Sequence, residues 1–263
     1  MSLEAGRPAS CGGRFVILSL PRCGSTSLAR LVNAHAEVRC LIEPFHPQRY
    51  NGKYRALVHD VPSLDSTLEL IWREWNGIKH VWEPDGWPFA GHPEIQDWIA
   101  LGPGNKVIYL MRRNLLRRWA SGYLARQVQY WIGTREEFYS RLDAVTLPVM
   151  DPAAVREQLA RDKAAMERRR QSLIEGRADA MMLYYEDVYR ENATGMERFA
   201  FTNRILGFLN FPPVTLEMFR AGFELHLEAG NNRWASPEVY RHIPGVDEIE
   251  ARCGCDETGW LFR

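Results

Sequence analysis

Five short, nearly continuous apolar segments set the strongest limit on how this chain can fold. They predict strands at residues 14–20, 37–42, 78–82, 106–111 and 181–185. Nearly continuous apolar strands are buried on both faces, as in a parallel sheet that helices cover. Helical periodicity between them predicts helices at residues 25–35, 66–75, 115–131, 155–175 and 200–209. We therefore expect an α/β fold: one three-layer domain over residues 14–263, with a mainly parallel central sheet flanked by helices, after a flexible N-terminus over residues 1–13.

Charge balance and cysteine content argue against several classes of protein. Lys plus Arg and Asp plus Glu number 33 each, so bulk attraction to nucleic acid or to a membrane is not expected. No apolar run approaches the ~20 residues that span a bilayer, and the first residues lack the apolar core of a signal peptide. Reduced thiols without a metal are expected for the scattered cysteines, which are Cys11, Cys23, Cys40, Cys253 and Cys255. These features predict a cytoplasmic protein that binds no nucleic acid and does not insert into a membrane.

Charged residues follow every predicted strand. They are Arg22, Glu43, Glu83, Arg112 with Arg113, and Glu186 with Asp187. In open parallel sheets, ligands bind beyond the carboxyl ends of the strands. The fold would gather these residues along one edge of the sheet, and we predict the chemistry there. We expect Glu186 and Asp187 mainly to orient loops and arginines, and Arg112 to be ion-paired or solvated.

Residues 21–27 (Pro-Arg-Cys-Gly-Ser-Thr-Ser) lie between the first strand and the first helix, where a loop can cradle an anion. Backbone N–H groups and the helix N-terminus supply partial positive charge, and a glycine lets the backbone approach the ligand closely. The side chain of Arg22 adds a permanent charge with forked donors. The predicted anion-binding residues are Arg22, Cys23, Gly24, Ser25, Thr26 and Ser27. A plain strand–helix turn capped by Ser25 is the structural alternative.

A nucleoside triphosphatase is the competing functional interpretation of this loop. The GxxxxGK[ST] pattern of such enzymes is absent, and no predicted strand ends in a plain apolar run plus an Asp that would hold Mg²⁺. The loop therefore favours a phosphate-like anion that is bound without a metal.

The same loop resembles the 5′-phosphosulfate loop, Pro-[Arg/Lys]-x-Gly-[Ser/Thr]-[Thr/Ser], of sulfotransferases that use 3′-phosphoadenosine-5′-phosphosulfate (PAPS). Arg22 at its second position is similar to the bacterial carbohydrate and Golgi-type branches. A second motif also resembles the family, because Ser121 lies eight residues after Arg113 on a strand-to-helix segment. The resemblance implies that Arg113 and Ser121 bind the 3′-phosphate of PAPS. It further implies a P-loop NTPase-like fold, PAPS as the donor, 3′,5′-adenosine bisphosphate (PAP) as the product, and no required metal.

Sulfuryl transfer needs a base for the acceptor proton, and two candidates are open. Glu43 is the first, since its Glu-Pro segment resembles bacterial sulfotransferases in which that Glu is the proposed base. We expect partial desolvation to raise the pKa of Glu43; an ion pair with a neighbouring Arg is the alternative. The second candidate, His80, lies on a segment that resembles the Lys-Thr-His strand of cytosolic enzymes but lacks the Thr, which turns His80 to the opposite face. Arg22 would stabilise the charge on the departing phosphate.

The acceptor side of the site is less defined by the sequence. Trp82 and Trp87 are the predicted pocket members of an aromatic-rich stretch, and Glu43, His46 and Lys79 are predicted to contact the acceptor with them. Residues 123–150 are a candidate lid. These features favour a small-molecule hydroxyl acceptor, and a homodimer is one possible assembly. The alternatives are an ATP-dependent kinase or phosphotransferase on the same fold, and a catalytically silent nucleotide-binding protein.

Overall fold

All five apolar segments form strands of one parallel sheet. A computed structural model of the chain describes residues 13–131, 134–176, 179–227 and 236–263. The strands are β1 (Phe15–Ser19), β2 (Cys40–Ile42), β3 (Gly77–Val81), β4 (Lys106–Met111) and β5 (Ala180–Tyr184), in the order β2-β3-β1-β4-β5. β1 pairs with β3 and β4, β2 pairs with β3, and β4 pairs with β5, each in parallel. The predicted α/β fold with a parallel central sheet is confirmed.

Helices connect and flank these strands. Their bounds are α1 (Ser25–Asn33), α2 (Lys53–Ala56), α3 (Val61–Trp72), α4 (Pro93–Leu101), α5 (Leu115–Gln127), α6 (Arg135–Asp143), α7 (Pro152–Gly176), α8 (Tyr185–Val188), α9 (Gly195–Phe208), α10 (Leu216–Met218), α11 (Glu224–Leu227), α12 (Pro237–Tyr240) and α13 (Val246–Cys253). A single 3₁₀ turn spans Arg49–Gly52, and a π-helical turn at Phe219–Phe223 joins α10 to α11. Helix α1 packs against β1, β2 and β3, while α4 packs against β1 and α7 against β5.

Capping side chains start α3 and α9 several residues before the predicted positions. Asp60 Oδ1 accepts a hydrogen bond from the Ser63 N–H, and Ser63 Oγ accepts one from the Asp60 N–H, so α3 begins at Val61. Thr194 and Glu197 form the same reciprocal arrangement at the start of α9. A capping box stabilises a helix end because it satisfies N–H groups that have no partner within the helix. Thr194, which ends an Asn-x-Thr sequence, is therefore a helix cap.

Other boundaries differ from prediction for local reasons. The N–H of Arg39 donates to the Asn76 side chain and that of Cys40 to the Asn33 side chain, so side chains replace strand pairing there and β2 is short. Helix α5 ends at Gln127 because the chain turns at Gln129, whose φ is 51°. Helices α4 and α6 were missed, although α4 has a proline in its first turn and α6 has a capping box at its start.

The sheet topology creates a crevice between β1 and β4. β1 is central, and the chain leaves it through α1 toward β2 at one edge of the sheet. From β4 the chain leaves through α5 toward β5 at the other edge. Connections that diverge from neighbouring parallel strands open a ligand-binding crevice at the carboxyl ends of those strands. The loop before α1 and the start of α5 therefore face each other across this crevice.

A buried ion pair fastens α5 to α7 beneath the crevice. The guanidinium of Arg118 on α5 pairs with the carboxylate of Asp162 on α7, and both side chains are less than a tenth exposed. Removing one partner of a buried pair leaves an uncompensated charge, so such a pair fixes the relative position of two elements. This contact holds α5, which carries Ser121, against the rest of the domain.

Some predictions fall outside the described residues or remain open. Residues 1–12, which include Cys11 and most of the predicted flexible N-terminus, lie outside them. Cys23, Cys40, Cys253 and Cys255 are free thiols in the structure. Among the residues that the structure describes, no helix has both the length and the apolar character needed to cross a bilayer.

Gly77 offers a test of how tightly the sheet is packed. An alanine Cβ there would lie 2.1 Å from Cζ of the Phe15 ring, which is fully buried and cannot move aside cheaply. We expect Gly77→Ala to reduce the free energy of unfolding by about 1–3 kcal/mol, measured by denaturant titration. Gly207→Ala is the matched control, since its Cβ meets no atom within 4 Å and its helical position should gain up to about 1 kcal/mol. Wild-type stability in Gly77→Ala would show that the Phe15 ring has room to shift.

Candidate active site

The loop between β1 and α1 has a backbone that only particular residues can adopt. Arg22 has a φ of 66° and Gly24 a φ of 85°, both in the left-handed region. A Cβ at Gly24 would lie 2.7 Å from Cε2 of Tyr189 and 2.8 Å from Cδ2 of Tyr185. Glycine is therefore required at this position both for the backbone and for the close packing of the two tyrosines. A strained non-glycine residue such as Arg22 is a feature that clusters at functional sites.

Three side chains hold the carbonyl groups of this loop. Arg118 Nη1 donates to the Pro21 oxygen at 3.2 Å, and Arg112 Nη1 donates to the Arg22 oxygen at 2.9 Å. The Tyr189 hydroxyl donates to the Gly24 oxygen at 2.8 Å. In a trans peptide the C=O and the following N–H point in opposite directions, so each held carbonyl turns an N–H away from its partner.

The N–H groups that this arrangement turns away are open to a ligand. No side chain caps the N-terminus of α1. Within the described part of the chain, the N–H groups of residues 23–27 donate no hydrogen bond to the protein. Unpaired N–H groups at a helix N-terminus bind anions, because the helix dipole adds to their own partial charge. The alternative of a plain strand–helix turn capped by Ser25 is wrong: the Ser25 hydroxyl is buried and accepts from Ser19 Oγ at 2.7 Å instead.

Arg22 and Ser121 meet across the crevice. Arg22 Nε donates to Ser121 Oγ at 2.8 Å, although the two residues are 99 positions apart in the chain. Burial, with a smaller contribution from the nearby Arg112, lowers the pKa of Arg22 to about 10, which still leaves the guanidinium charged at neutral pH. The side chain of Cys23 points into the core, where burial raises its pKa to about 11. Cys23 can therefore contribute to an anion site only through its backbone.

A cleft of about 1110 Å³ lies over this loop. Arg22, Gly24, Ser25, Thr26 and Ser27 form one end of it, together with Ser121. Glu43, His46, Lys79 and Trp87 form a second wall. The sequence predictions that place these residues at one site are consistent with this geometry. A pocket of this volume is large enough for a nucleotide-sized ligand.

Lys79 is a buried cation with two partners in the cleft. Its ammonium pairs with Glu43 Oε1 and donates to Thr26 Oγ1 at 3.2 Å, and its side chain is 3% exposed. Burial lowers the pKa of Lys79, and Glu43 offsets only part of that effect. A buried ammonium without partners would be far too costly, so Glu43 is what keeps this charge in place.

Glu43 has both oxygens occupied. Oε1 accepts from Lys79, and Oε2 accepts from Arg49 Nε at 2.8 Å. Burial alone would raise the pKa of Glu43, but the charge of Lys79, supported by Arg49, outweighs burial and holds the pKa below its ordinary value. The expectation of a raised pKa was therefore wrong, because the sequence does not show that Lys79 and Arg49 converge on this carboxylate. Its backbone is also in the left-handed region, with a φ of 54°.

His80 and Trp82 lie on the face of β3 away from the cleft. Side chains alternate along a strand, so Lys79 and Val81 face the cleft while their neighbours face the core. His80 Nε2 is 2.7 Å from Gln96 Oε1, and burial lowers the pKa of His80 to about 4. Trp82 is buried beneath the guanidinium of Arg169, which lies 5.2 Å from its ring centroid. This placement conflicts with the roles predicted for His80 as a base and for Trp82 as a pocket residue.

His46 and Trp87 stay at the predicted acceptor side. Their ring centroids are 5.2 Å apart in an edge-to-face arrangement, and both residues line the cleft. Burial lowers the pKa of His46, with Glu43 as a smaller opposing influence. The imidazole is therefore neutral at pH 7 and offers hydrogen bonding and an apolar edge rather than charge.

The second anion motif is rearranged relative to the prediction. Arg113 forms a two-pronged ion pair with Asp187, with both N–O distances 2.7 Å, and its side chain is not part of the cleft lining. Glu186 accepts the backbone N–H of Arg113 and of Asn114, both at 3.0 Å, as expected for a residue that orients this turn. The structure thus places Ser121 in the cleft but directs the predicted partner, Arg113, away from it.

Arg112, rather than the neighbouring Arg113, is the arginine that faces the cleft. It lines the cleft, is 8% exposed, and its guanidinium carbon lies 4.3 Å from the centroid of the Tyr185 ring. Its Nε is buried and has no hydrogen-bond partner among the described residues. The alternation of side chains along a strand could have predicted this placement of Arg112. The Met111 side chain faces the core, so the next residue faces the opposite side.

Residues 123–150 contribute to the cleft wall. Tyr130, Trp131, Thr134 and Arg141 from this segment line it, and residues 132–133 lie outside the described part. The lid function stays a prediction. Within the residues that the structure describes, no cluster of His, Cys, Asp and Glu could hold a metal ion.

Comparisons with known proteins give partial matches. No family model matches the chain. Nodulation protein H of Rhizobium meliloti strain 1021 is 33% identical over 150 residues, and a second Rhizobium meliloti Nodulation protein H is 32% identical over 153 residues. Each match covers 54% of this chain and 58% of the relative, so the match spans little more than half the length of these curated relatives.

Among solved structures, mouse sulfotransferase SULT7A1 complexed with PAP matches 95% of this chain and 74% of its own, with 13% identity and a TM-score of 0.43. The chain resembles the PAPS-dependent sulfotransferase family. The loop at residues 21–27 and the spacing of Arg113 and Ser121 carry that resemblance.

The charge network of Glu43 predicts a stability effect. Glu43→Gln leaves Lys79 as a buried cation without its main partner, so we expect the free energy of unfolding at pH 7 to fall by about 3–5 kcal/mol. Glu43→Gln combined with Lys79→Met removes both charges and should recover most of that loss. Denaturant titrations of the three proteins measure both effects. Equal stability of the single and double variants would contradict the network.

The same network predicts how stability depends on pH. Because its pKa is lowered on folding, Glu43 contributes stability that is present above the ordinary glutamate pKa and is lost as pH falls through the folded-state pKa. We expect wild-type stability to decline below about pH 4.3, the ordinary glutamate value. That decline should be shallower in the double variant, measured by denaturant titration at several pH values. Parallel declines would mean that Glu43 titrates normally.

Proposed function

We propose that this protein is a sulfotransferase that moves a sulfuryl group from PAPS to a hydroxyl of a small-molecule acceptor. The observation that carries the proposal is the loop at residues 21–27, where an uncapped helix N-terminus, unpaired N–H groups and the Arg22 side chain converge on one cleft. An anion with several oxygens, such as a 5′-phosphosulfate, suits this set of donors. The sequence motifs that resemble the PAPS-dependent family supply the choice of donor.

The transfer is an in-line displacement at sulfur. The acceptor oxygen attacks the sulfur, the bond from sulfur to the bridging oxygen breaks, and PAP departs with that electron pair on its 5′-phosphate. Arg22 and Lys79 are the cations beside the loop that can stabilise this growing negative charge. Fixed charges that need no rearrangement during the reaction lower the barrier most effectively. The acceptor proton must pass to a base at the same edge of the sheet.

Ser121 and Arg112 are the proposed partners of the 3′-phosphate. Both line the cleft, and the unpaired Nε of Arg112 is a buried donor that a phosphate oxygen would satisfy. Arg113 remains the partner that the family resemblance implies, but it would have to leave its two-pronged pair with Asp187 to reach the ligand. The two arginines are neighbours in sequence, so substitutions can separate their roles.

The acceptor would enter beside the aromatic wall. Trp87 and His46 line the cleft, and Trp131, whose backbone oxygen accepts from Arg22 Nη1 at 3.3 Å, lines it beside the loop at residues 21–27. Aromatic faces with a few polar groups suit a small organic molecule that presents a hydroxyl. A cytoplasmic location and a homodimer stay predictions.

A nucleotide-binding assay tests the donor assignment. A ligand present at 100 times its dissociation constant stabilises a folded protein by about 2.7 kcal/mol, which raises the unfolding temperature by a few degrees. We expect PAP to raise it and ATP with Mg²⁺ not to. Stabilisation by ATP with Mg²⁺ alone would favour the alternative of an ATP-dependent phosphotransferase, and binding of PAP without any transfer would favour a silent nucleotide-binding protein.

Substitutions locate the binding site of PAP. Arg22→Gln should weaken PAP binding about 10–100-fold, since a hydrogen bond to a charged group contributes about 1.5–3 kcal/mol. Arg112→Gln should weaken it more than Arg113→Gln does, if Arg112 is the buried partner. Arg14→Gln is the matched control, because Arg14 forms an exposed ion pair with Glu69 away from the cleft. Unchanged binding in Arg22→Gln, measured by calorimetry, would contradict the proposed donor site.

A further inference from the structure

Two carboxylates line the cleft in the described part of the chain, Glu43 and Glu83. Their surroundings differ sharply. Both oxygens of Glu43 are bound, by Lys79 and by Arg49. The side-chain oxygens of Glu83 accept no hydrogen bond and form no ion pair with another described residue. Of the two, only Glu83 is free to accept a proton from a bound molecule without first breaking a contact.

Strand alternation brings Glu83 to the cleft. Lys79, Val81 and Glu83 are two residues apart and all line it. The N–H of Trp82 donates to the Ser19 oxygen at 3.2 Å, so the pairing of β3 with β1 continues past the formal end of the strand. Glu83 therefore lies next to Pro21, at the beginning of the loop at residues 21–27 (the anion loop).

The backbone holds Glu83 in a fixed turn. Its N–H donates to the Trp87 oxygen at 3.1 Å, and its carbonyl accepts from the Gly86 N–H at 2.9 Å. Glu83 and Arg22 also both line a small polar side pocket with a volume of about 20 Å³. The carboxylate is thus held on the wall that also carries the arginine of the anion loop. A group held by a rigid turn loses little entropy when it engages a ligand.

Charged groups from three elements face Glu83. Asp85 lies in the same turn, Arg118 and Arg126 approach from α5, and Asp162 approaches from α7. Burial, and then the like charge of Asp85, raise the pKa of Glu83, and the two arginines offset only part of that effect. The pKa values of the two cleft carboxylates are therefore shifted in opposite directions: that of Glu43 is lowered and that of Glu83 is raised. Opposite pKa shifts of two acids in one site assign them different roles, and the weaker acid is the better base near neutral pH.

We propose that Glu83 is the general base that accepts the acceptor proton, while Glu43 positions Lys79 and Arg49. This inference rests on the proposed sulfotransferase function. As the acceptor oxygen bonds to sulfur, its proton passes to a Glu83 oxygen, and the electron pair of the broken sulfur–oxygen bond leaves on the 5′-phosphate of PAP. Release of the proton from Glu83 to solvent then restores the carboxylate. Protonating Glu43 instead would remove the counter-charge of the buried Lys79 ammonium.

Hydrolysis of PAPS to PAP and sulfate tests the assignment without knowledge of the acceptor, because water then supplies the hydroxyl and the proton. A general base contributes typically about 10²–10⁴-fold to the rate. We expect Glu83→Gln to lose a factor in that range while PAP binding by calorimetry is retained, because a group that acts only in the transition state affects the rate and not the ground-state affinity. The wild-type rate should rise with pH through the pKa of Glu83, and this rise should vanish in Glu83→Gln but persist in Glu43→Gln.

Asp85→Asn is the matched control. Asp85 is exposed and lies outside the cleft lining, and its Oδ1 accepts the Trp87 N–H, a contact that asparagine can keep. Removing its charge should leave the maximal rate unchanged and move the pH-dependent rise to lower pH, because a like charge beside Glu83 is lost. A role of Glu83 in folding alone would move neither the rise nor its position.

The outcomes separate this inference from the proposed function. A wild-type protein that neither binds PAP nor turns over PAPS overturns both. A second outcome overturns the inference alone. In it, the wild type binds PAP and turns over PAPS, Glu83→Gln keeps the wild-type pH profile, and Glu43→Gln loses the rise of the rate with pH. The base would then be Glu43. Thermal unfolding of each variant with PAP shows that the compared proteins are folded.

Discussion

The site depends on two arginine side chains that donate hydrogen bonds to the carbonyl groups of the strained loop at residues 21–27. Arg112 and Arg118 reach from β4 and α5 to the carbonyl groups of Arg22 and Pro21. These contacts help to compensate the left-handed backbone at Arg22, since such conformations persist only when the surroundings fix them. The same contacts turn the loop N–H groups toward the cleft. Strand pairing, the Arg118–Asp162 pair and the anion loop are therefore linked, so the loop geometry depends on the packing of α5.

Strand β3 sorts its residues by face. Lys79 points into the cleft and carries a buried charge that Glu43 and the nearby Thr26 satisfy, while His80 points into the core and bonds to Gln96. A histidine whose pKa is about 4 is neutral at physiological pH and contributes to packing. Every second residue of this strand thus faces the cleft, and this alternation continues beyond the end of the strand to Glu83. Residues adjacent in sequence have unrelated roles here because they belong to opposite layers.

The local sequence pattern was sufficient to predict the sheet and the anion loop, because buried strands and glycine-containing turns depend on residues that are consecutive in the chain. It was insufficient wherever a residue's role depends on a distant partner. Asp187 pairs with Arg113 and holds it away from the cleft, and Lys79 with Arg49 lowers the pKa of Glu43. The local sequence pattern does not show these contacts. The capping boxes that start α3 and α9 were readable and were missed, because the apolar periodicity begins later than the cap.

Overall neutrality of the chain conceals a strong local field. Lys plus Arg equals Asp plus Glu over the whole sequence, at 33 each. The described residues that line the cleft include seven cations (Arg22, Arg30, Arg49, Lys79, Arg112, Arg126 and Arg141) but only two carboxylates. Low-dielectric walls focus such a field and attract anionic ligands from solution. Attraction of that kind would be selective for the cleft, since the rest of the surface must carry the balancing negative charge. A carboxylate that works as a base in so positive a cleft needs shielding from those cations, and Glu83, with Asp85 beside it, has a like charge that opposes them, whereas Glu43 is bound by two of the cations directly.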